Sequence, residues 1–438
     1  MGNLRFAIKM LYNDIKQCTF YIVSMIFSTA VIFNIFNLIY NKDFTNPDIE
    51  MSLNLYGTTV NDSYLTFSII ALIVVCVGTL LSSFANMYFV YGKTKELAIA
   101  VISGRSVFSV GGILTIQNAI LGFIGIAGGL ILGLIMMPII NIVTYKSIGQ
   151  PVNIMAFSKM GFMITSVIIV LQFIMMVLVD VGYVYRREVV DLISDKKIMY
   201  ERDKRSIKAY GWIYIFLYFL PVGVFFSSAS NRDKASSYAY AMYIALIGMS
   251  GIIKYVLPQF IISIKRRKYV YSKIKLQSIS NLHYSLRRAN LLVIILAISA
   301  SLLIQFICRG KNMPQVISVT TAAFIVVILL MAITIVYRVF IEAINRKNTF
   351  KQLMLVGYTK KEIGTIIFQE STYLYLITLI VPLFHIIIMI VSNIKAGDIT
   401  EGLGVLIIGT FLGTYLLSFI ISLTGYKKII FDYLKVGV

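Results

Sequence analysis

The chain has 438 residues, of which 58% are hydrophobic and 13% are charged, and its mean hydropathy is +0.85. A soluble domain normally carries about 25% charged residues, so the composition excludes a water-soluble globule and predicts an exterior that faces lipid. The net charge of +21 does not indicate nucleic-acid binding, because the basic residues lie in short runs between apolar stretches and form no basic patch with interleaved aromatic residues.

Ten apolar stretches have about the 20 residues that a membrane-spanning helix needs. They are 19–40, 63–90, 117–143, 158–183, 209–228, 237–263, 289–308, 316–340, 365–392 and 404–424. We therefore predict an all-α polytopic membrane protein with about ten transmembrane helices. Several stretches are longer than the bilayer requires, so we expect tilts, or kinks at Pro138, Pro258 and Pro382.

Basic residues concentrate in every second connection between the predicted helices. The connections 184–208 and 264–288 carry eight lysines and arginines each, whereas 309–315 carries two. Because lysine and arginine favour the cytoplasmic side, both termini are predicted to be cytoplasmic in a multi-pass membrane protein. Residues 3–17 place Leu4, Ile8, Leu11 and Ile15 on one helical face, which predicts a helix on the inner leaflet.

Residues suited to catalysis or metal binding are scattered. No Walker A pattern or nucleophile triad is visible, and the cysteines and histidines form no ligand cluster: Cys18, Cys76, Cys308, His283 and His385. We therefore predict a non-catalytic subunit with no cofactor or metal of its own, which draws energy from an ion gradient or a partner. The two histidines are interpreted as packed or interfacial side chains. No outer connection indicates a ligand pocket.

Two predicted cytoplasmic segments, 93–120 and 347–374, resemble each other. Gly104 aligns with Gly357, and Gln117 aligns with Glu370. Each segment has a basic start, a short predicted helix with Leu97 or Leu353, a glycine turn, a small polar residue (Ser106 or Thr359) and a new membrane helix. Glycine suits the turn because it accepts a positive φ and ends a helix.

Each repeated segment follows one long span and precedes two more, which predicts two copies of a three-helix module. The predicted organisation is a surface helix and first span (1–62), a first module (63–183), three helices with basic inner connections (184–315), and a second module with a short tail (316–438).

The motif EL-x-I-x-x-x-x-G after a lysine-rich start resembles the FtsX-like permease family of ABC transporters. Ten helices with two such modules, the beginning LRFAIKMLYNDIKQCTFYIVSMIFSTAVIF and the stretch GYVYRREVVDLISDKK resemble the bacitracin-export (BceB-type) branch. That branch normally has a large extracellular domain between the seventh and eighth helices. Here the connection is only 309–315, which puts a role in capturing peptide antibiotics in doubt.

The resemblance implies that the repeated segments couple the permease to a cytosolic ABC ATPase. ATP and Mg would then be bound by the partner, and two ATPase copies are expected because one chain supplies both segments. The coupling residues that the resemblance implies are Glu96, Leu97, Gly104, Arg105, Ser106, Gln352, Leu353, Gly357, Tyr358 and Thr359. The alternative is that both segments are ordinary amphipathic inner loops.

The third predicted span contains a glycine stripe. Gly125, Gly129 and Gly133 make two small-xxx-small spacings, which allow a second helix to approach closely. Static packing and a moving interface both fit this pattern.

Three ionisable residues fall in or near predicted spans. We expect Asp180 and Glu370, which lie near inner ends, to snorkel or to pair with a loop lysine, and Lys254 to snorkel.

Three functions fit this organisation. The first is an ABC permease subunit that handles a peptide-like or amphipathic substrate, with a role in antimicrobial-peptide resistance or export. The second is a signalling scaffold that passes ATPase motion to a membrane partner such as a sensor histidine kinase. An ion-coupled carrier is disfavoured, because the two modules have the same orientation and carriers often contain inverted repeats.

Overall fold

The computed structural model describes residues 7–8, 11, 15–41, 62–104, 106–149, 153–185, 211–227 and 230–436. These residues form α-helices joined by short connections, and none of them lies in a β-strand. In chain order the helices are α1 (Ile15–Ile39), α2 (Asp62–Ile102), α3 (Val107–Ile148), α4 (Lys159–Tyr185), α5 (Gly211–Phe225), α6 (Asn231–Gly251), α7 (Leu257–Lys268), α8 (Lys273–Arg309), α9 (Pro314–Leu355), α10 (Lys360–Ala396) and α11 (Glu401–Val436).

The prediction of an all-α polytopic membrane protein is confirmed. In the described part of the chain, nine helical stretches are long and apolar enough to cross a membrane. The predicted span 209–228 corresponds to α5, which has 15 residues and is the shorter apolar helix of the set. Most of the predicted surface helix 3–17 lies outside the described residues. The cytoplasmic placement of both termini stays a prediction.

The predicted span 237–263 is one helical path with a widened turn inside it. Helices α6 and α7 are joined by a π-helical turn, Ile252–Val256, and Pro258 follows at the start of α7. Proline has no N–H to donate and its ring collides with the carbonyl four residues earlier, so a wider turn accommodates it without ending the helix.

The short helices predicted before each glycine turn are not separate elements. They are the last turns of α2 and α9, which have 41 and 42 residues. At 1.5 Å per residue each is about 60 Å long, twice the roughly 30 Å hydrocarbon core. Their final segments contain no proline, so nothing in the backbone stops the helix before the turn. The predicted inner connection 264–288 is also mostly helical, because α8 begins at Lys273.

The chain divides into two compact units. The first comprises Met1–Lys204 and Met313–Val326, and α1 lies among α2, α3 and α4 in it. Side-chain amides of α1 donate to neighbouring backbones: Asn34 Nδ2 to the Gly133 carbonyl at 3.1 Å and Asn37 Nδ2 to the Ala156 carbonyl at 3.0 Å. Lipid offers no hydrogen bonds, so these contacts satisfy polar groups that would otherwise be costly.

The second unit comprises Arg205–Asn312 and Val327–Val438. Its core includes an aromatic cluster around His385, whose Nδ1 lies 2.7 Å from the Tyr238 hydroxyl and whose ring meets Tyr218 edge-on with centroids 4.5 Å apart. His385 is fully buried, and this packing is the role that the sequence analysis assigned to it. Within the described ranges, no group of three or more His, Cys, Asp and Glu side chains is placed to hold a metal ion.

Candidate functional site

Two tight turns connect long antiparallel helices at the predicted cytoplasmic side. The first turn (residues 103–106) joins α2 to α3, and the second turn (356–359) joins α9 to α10. We call α2–α3 the first hairpin and α9–α10 the second. Gly104 has φ +90° and Gly357 has φ +98°. A Cβ at either position would meet no atom within 4 Å, so glycine is needed there for its backbone conformation rather than for space.

A polar cap follows each glycine at the same spacing. Ser106 Oγ accepts a hydrogen bond from the Ser109 N–H at 3.2 Å. Thr359 Oγ1 accepts from the Glu362 N–H at 3.2 Å, and the Glu362 carboxylate accepts from the Thr359 N–H at 2.7 Å, which completes a capping box. These contacts satisfy N–H groups that have no partner within the helix, so each turn starts its second helix at a defined residue.

Exposed apolar side chains flank both glycines. Ile102 is 63% exposed on the first turn, and the aligned Leu355 is 79% exposed on the second, next to Val356 at 78%. Ile99, one helical turn before Ile102, is 66% exposed. Large exposed apolar groups at the tip of a hairpin are suited to contact another protein. No sequence pattern singles out these residues, because a leucine or isoleucine in an apolar helix carries no sign of the direction it faces.

The predicted coupling residues occupy varied environments at these turns. Gln352, Thr359 and Ser106 are exposed, whereas Leu353, Tyr358 and Glu96 are partly buried. Leu97 lies in α2, but its side chain is outside the described part, as is all of Arg105.

The second turn is fixed to the start of α8. Lys273 Nζ donates to the Gly357 carbonyl at 3.1 Å, lies 3.4 Å from the Glu362 carboxylate and sits 4.3 Å from the centre of the Tyr358 ring. The Tyr358 hydroxyl donates in return to the Lys273 carbonyl at 3.3 Å. Lys273, in the predicted basic inner connection, therefore holds the second turn directly.

A buried ionic cluster lies within the second hairpin. Arg346, on α9, pairs with Glu342 one turn earlier at 2.5 Å and with Glu370 of α10. The Ser285 hydroxyl of α8 lies 2.7 Å from the Glu342 carboxylate and 2.9 Å from the Glu370 carboxylate, and it donates its one proton to either of them. Arg346 also donates to the Asn281 carbonyl at 3.2 Å. The cluster joins α8, α9 and α10, and each charge in it has an opposite charge or a hydrogen-bonding partner.

The first hairpin carries a different buried cluster. Asp180 of α4 is fully buried and accepts from the Asn86 amide of α2 at 2.6 Å and from the Asn118 amide of α3. Asn118 also donates to the side-chain oxygen Oδ1 of Asn86 at 2.9 Å. Two side-chain amides thus hold one carboxylate among three helices.

These contacts correct two predictions. Asp180 is fully buried and does not snorkel, and it pairs with no lysine of the described part of the chain, because two amides that the fold brings together already satisfy it. Glu370 is ion-paired, but with the buried Arg346 of a neighbouring helix rather than with a loop lysine. Lys254 is exposed in the π-helical turn, and its snorkelling stays a prediction.

The glycine stripe of α3 lies against α1. A Cβ at Gly125 would be 2.5 Å from the Met25 Cβ, and one at Gly133 would be 2.7 Å from the Phe33 ring. At Gly129 the corresponding distances are 2.5 Å to the Thr29 Cβ and 2.9 Å to a backbone oxygen of α1. Only glycine permits this approach of the two helices.

A polar cavity of about 520 Å³ lies where three predicted outer connections of the second unit meet. Lys311 Nζ is 3.9 Å from the Asp398 carboxylate across it, and Arg309 donates to the Tyr240 hydroxyl at 3.3 Å. No sequence pattern in the outer connections indicated this cavity. Composition alone does not reveal the cavity, because its lining residues are far apart in the sequence. They include Asp233, Gln305, Arg309, Lys311, Asn393 and Asp398.

No protein-family model matches the chain. A similar protein is the uncharacterized ABC transporter permease YvcS of Bacillus subtilis (strain 168), which is 23% identical over 234 residues. The aligned region covers 52% of this chain and 34% of that protein, so the chain matches about a third of the relative's length. The likeness supports an ABC permease role and, with the nine apolar helices, a multi-pass protein of the bacterial plasma membrane.

Proposed function

We propose that this chain is the transmembrane subunit of an ABC transporter and that a cytosolic ATPase docks on its two glycine turns. The observation that carries the proposal is the pair of matched turns. Each ends a helix about twice as long as the bilayer core is thick, and each presents an exposed apolar residue, Ile102 or Leu355, beside a glycine with positive φ. The similarity to an ABC permease supports the same assignment.

The buried clusters suit the hairpins for transmitting movement. Asn86 and Asn118 join the helices of the first hairpin through Asp180, and Arg346 joins those of the second through Glu370. A displacement applied at a turn would therefore shift both helices of a hairpin together, because separating them would expose buried polar groups to lipid.

We propose that the partner binds ATP and Mg and hydrolyses the ATP, whereas this chain supplies no catalytic group. Two turns in one chain fit two ATPase copies per permease.

We propose a peptide-like or amphipathic substrate, with a role in antimicrobial-peptide resistance or export. The support is the resemblance to the bacitracin-export branch. Survival of cells with and without the gene on a panel of cell-wall-directed peptides tests this part. Unchanged survival, together with altered signalling through a neighbouring sensor histidine kinase, would favour the signalling scaffold instead.

Co-purification of the chain with a co-expressed ABC ATPase tests the docking assignment. We expect Ile102→Ser and Leu355→Ser each to lower the amount of retained ATPase about twofold, because the other turn still holds one copy. The double variant I102S/L355S should lower it about tenfold or more, since it removes the interface anchor of both turns. Val270→Ser is the matched control, because Val270 is also an exposed apolar residue (48%) in an inner connection but lies outside both turns.

The substitutions replace exposed side chains, so the melting temperature of the permease should stay unchanged. Wild-type ATPase retention by the double variant I102S/L355S would refute docking at the turns. Equal loss in V270S would show that any exposed apolar residue on this side has the same effect, and it would also contradict the assignment.

A further inference from the structure

A basic groove lies between the start of α10 and the end of α11 in the second unit. Its volume is about 720 Å³, and four lysines surround a floor of small and aromatic residues. The lining residues are Lys360, Lys361, Gly364, Thr365, Phe368, Lys427, Phe431 and Lys435. The groove is separate from the proposed docking residues of the second turn, because Leu355 and Val356 precede α10 and do not line it.

The charge of the groove is not neutralised locally. Among the described residues, none of the four lysines has a carboxylate within ion-pairing distance, and no acidic residue lines the groove. The nearest acid of α10, Glu362, accepts from Thr359 and pairs with Lys273. Four positive charges around one concavity favour an anionic ligand.

The groove continues into an apolar surface. Phe368 is 46% exposed, and Lys427 Nζ lies 5.7 Å from the centre of its ring. Along α11, Phe431, Lys427, Thr424, Ile420 and Leu416 follow one another at helical spacings of three or four residues. Ile420 and Leu416 are 55% and 58% exposed. The stretch from Phe431 to Leu416 is about 22 Å long, enough to run beside an acyl chain in one leaflet.

We propose that this groove binds the phosphate headgroup of an anionic phospholipid of the cytoplasmic leaflet, whose acyl chains lie along the exposed face of α11. Positive charge at one end and an apolar strip beyond it match the shape of such a lipid. Basic pockets between membrane helices on the cytoplasmic side are suited to these headgroups. An acidic protein surface would match the lysines but not the apolar strip within the membrane-spanning part of α11.

Native mass spectrometry of the full chain, released from nanodiscs of mixed phosphatidylglycerol and phosphatidylcholine, tests the proposal. We expect the wild type to retain phosphatidylglycerol preferentially and Lys361→Gln with Lys427→Gln to reduce that preference about tenfold. The matched control is Lys351→Gln with Lys428→Gln, which removes the same charge from residues outside the groove. The control should retain the wild-type preference, and so should the charge-preserving K361R/K427R variant.

Three results would overturn the proposal. Equal loss in the groove and control variants would show that only overall charge matters. Release of phosphatidylglycerol by excess inorganic phosphate as readily as by a short-chain phosphatidylglycerol would show a simple anion site. Unchanged lipid preference in K361Q/K427Q, together with loss of the ATPase, would show that the groove is a protein contact.

Discussion

The two hairpins have the same backbone conformation at the glycine of their turns, and they differ in the polar groups buried in and against them. Gly104 and Gly357 both have positive φ, and a residue with a capping hydroxyl follows each glycine at the same spacing in the sequence. In the first hairpin, the position aligned with Glu370 holds Gln117, which donates to the Ala7 carbonyl at 3.1 Å. In the second, Glu370 pairs with Arg346.

The position aligned with Arg346 is also a buried cation. It is Lys93, which is fully buried and lies 3.4 Å from Glu96. In the first hairpin, a buried lysine precedes the turn, and the carboxylate packed against the hairpin, Asp180 of α4, accepts hydrogen bonds from amides. In the second hairpin, the cation and the carboxylate belong to one cluster. The turn has strict backbone requirements, and the buried cluster needs only that each polar group finds a partner.

The largest expected effect is on the ionic cluster. Arg346→Ala would remove the buried cation that pairs with both Glu342 and Glu370, so we expect a loss of about 3–5 kcal/mol of stability, seen as a much lower melting temperature of the purified protein. Arg309→Ala is the control, because Arg309 is an exposed arginine and should cost less than about 1 kcal/mol. Equal melting temperatures for the two variants would contradict the cluster's role.

The next largest effect is a difference in stability between alanine substitutions at a close-packed glycine of the first unit and at an open glycine of the second. Gly129→Ala should destabilise the first unit by about 1–3 kcal/mol, because its Cβ would overlap Thr29 and the backbone of α1. Gly413→Ala in α11 should be neutral or stabilising, since a Cβ there meets no atom within 4 Å and alanine favours helix. Thermal melting of both variants checks this. A neutral G129A variant would refute the close packing of α1 and α3.

The two turns should respond alike to loss of glycine. Gly104→Ala and Gly357→Ala should each cost about 1 kcal/mol, because the cost is backbone strain alone. Asparagine tolerates this conformation better, so G104N and G357N should recover part of the loss in the same melting experiment. An alanine effect several times larger at one turn than at the other would show that the turns are not equivalent.

The smallest expected effect is at Asp180. Asp180→Asn keeps the shape of the side chain and removes a charge that no described cation balances. Its new NH2 group would face the Asn118 amide, which can rotate to present its Oδ1 as an acceptor, so we expect a change in stability within about 1 kcal/mol. Thermal melting beside R346A measures it. A loss as large as that of R346A would show that the two clusters depend equally on charge.

The sequence predicts the helices and the turns well. Hydropathy locates the membrane helices because a spanning helix must be apolar along its whole length, and the α2–α3 and α9–α10 turns are visible because glycine and a hydroxyl cap are local requirements. The sequence does not predict that α2 and α9 continue without a break to the glycine turns, because the lysine-rich start of each repeated segment is typical of the end of a membrane span. The same basic charge made 264–288 look like a loop, although most of it is helix α8.

The contacts of the buried clusters and the exposure of the apolar residues at the turns are set by tertiary structure. Asp180 meets Asn86 and Asn118 only because three helices bring them together, and no sequence spacing records that contact. The directions that Ile102 and Leu355 face are likewise set by packing around the hairpins. Sequence reasoning identified the turns and the exposed polar residues Ser106, Gln352 and Thr359, but it did not identify the exposed apolar side chains beside them.

The stoichiometry of the complex tests the central claim most directly. We predict that native mass spectrometry of the purified chain with its ATPase gives one permease and two ATPase subunits. Leu355→Ser should shift the population to one ATPase per permease under conditions that keep ATPase subunits from pairing, and Ile102→Ser should do the same. A wild-type complex with a single ATPase, or two ATPases still bound to the I102S/L355S variant, would contradict docking on both turns.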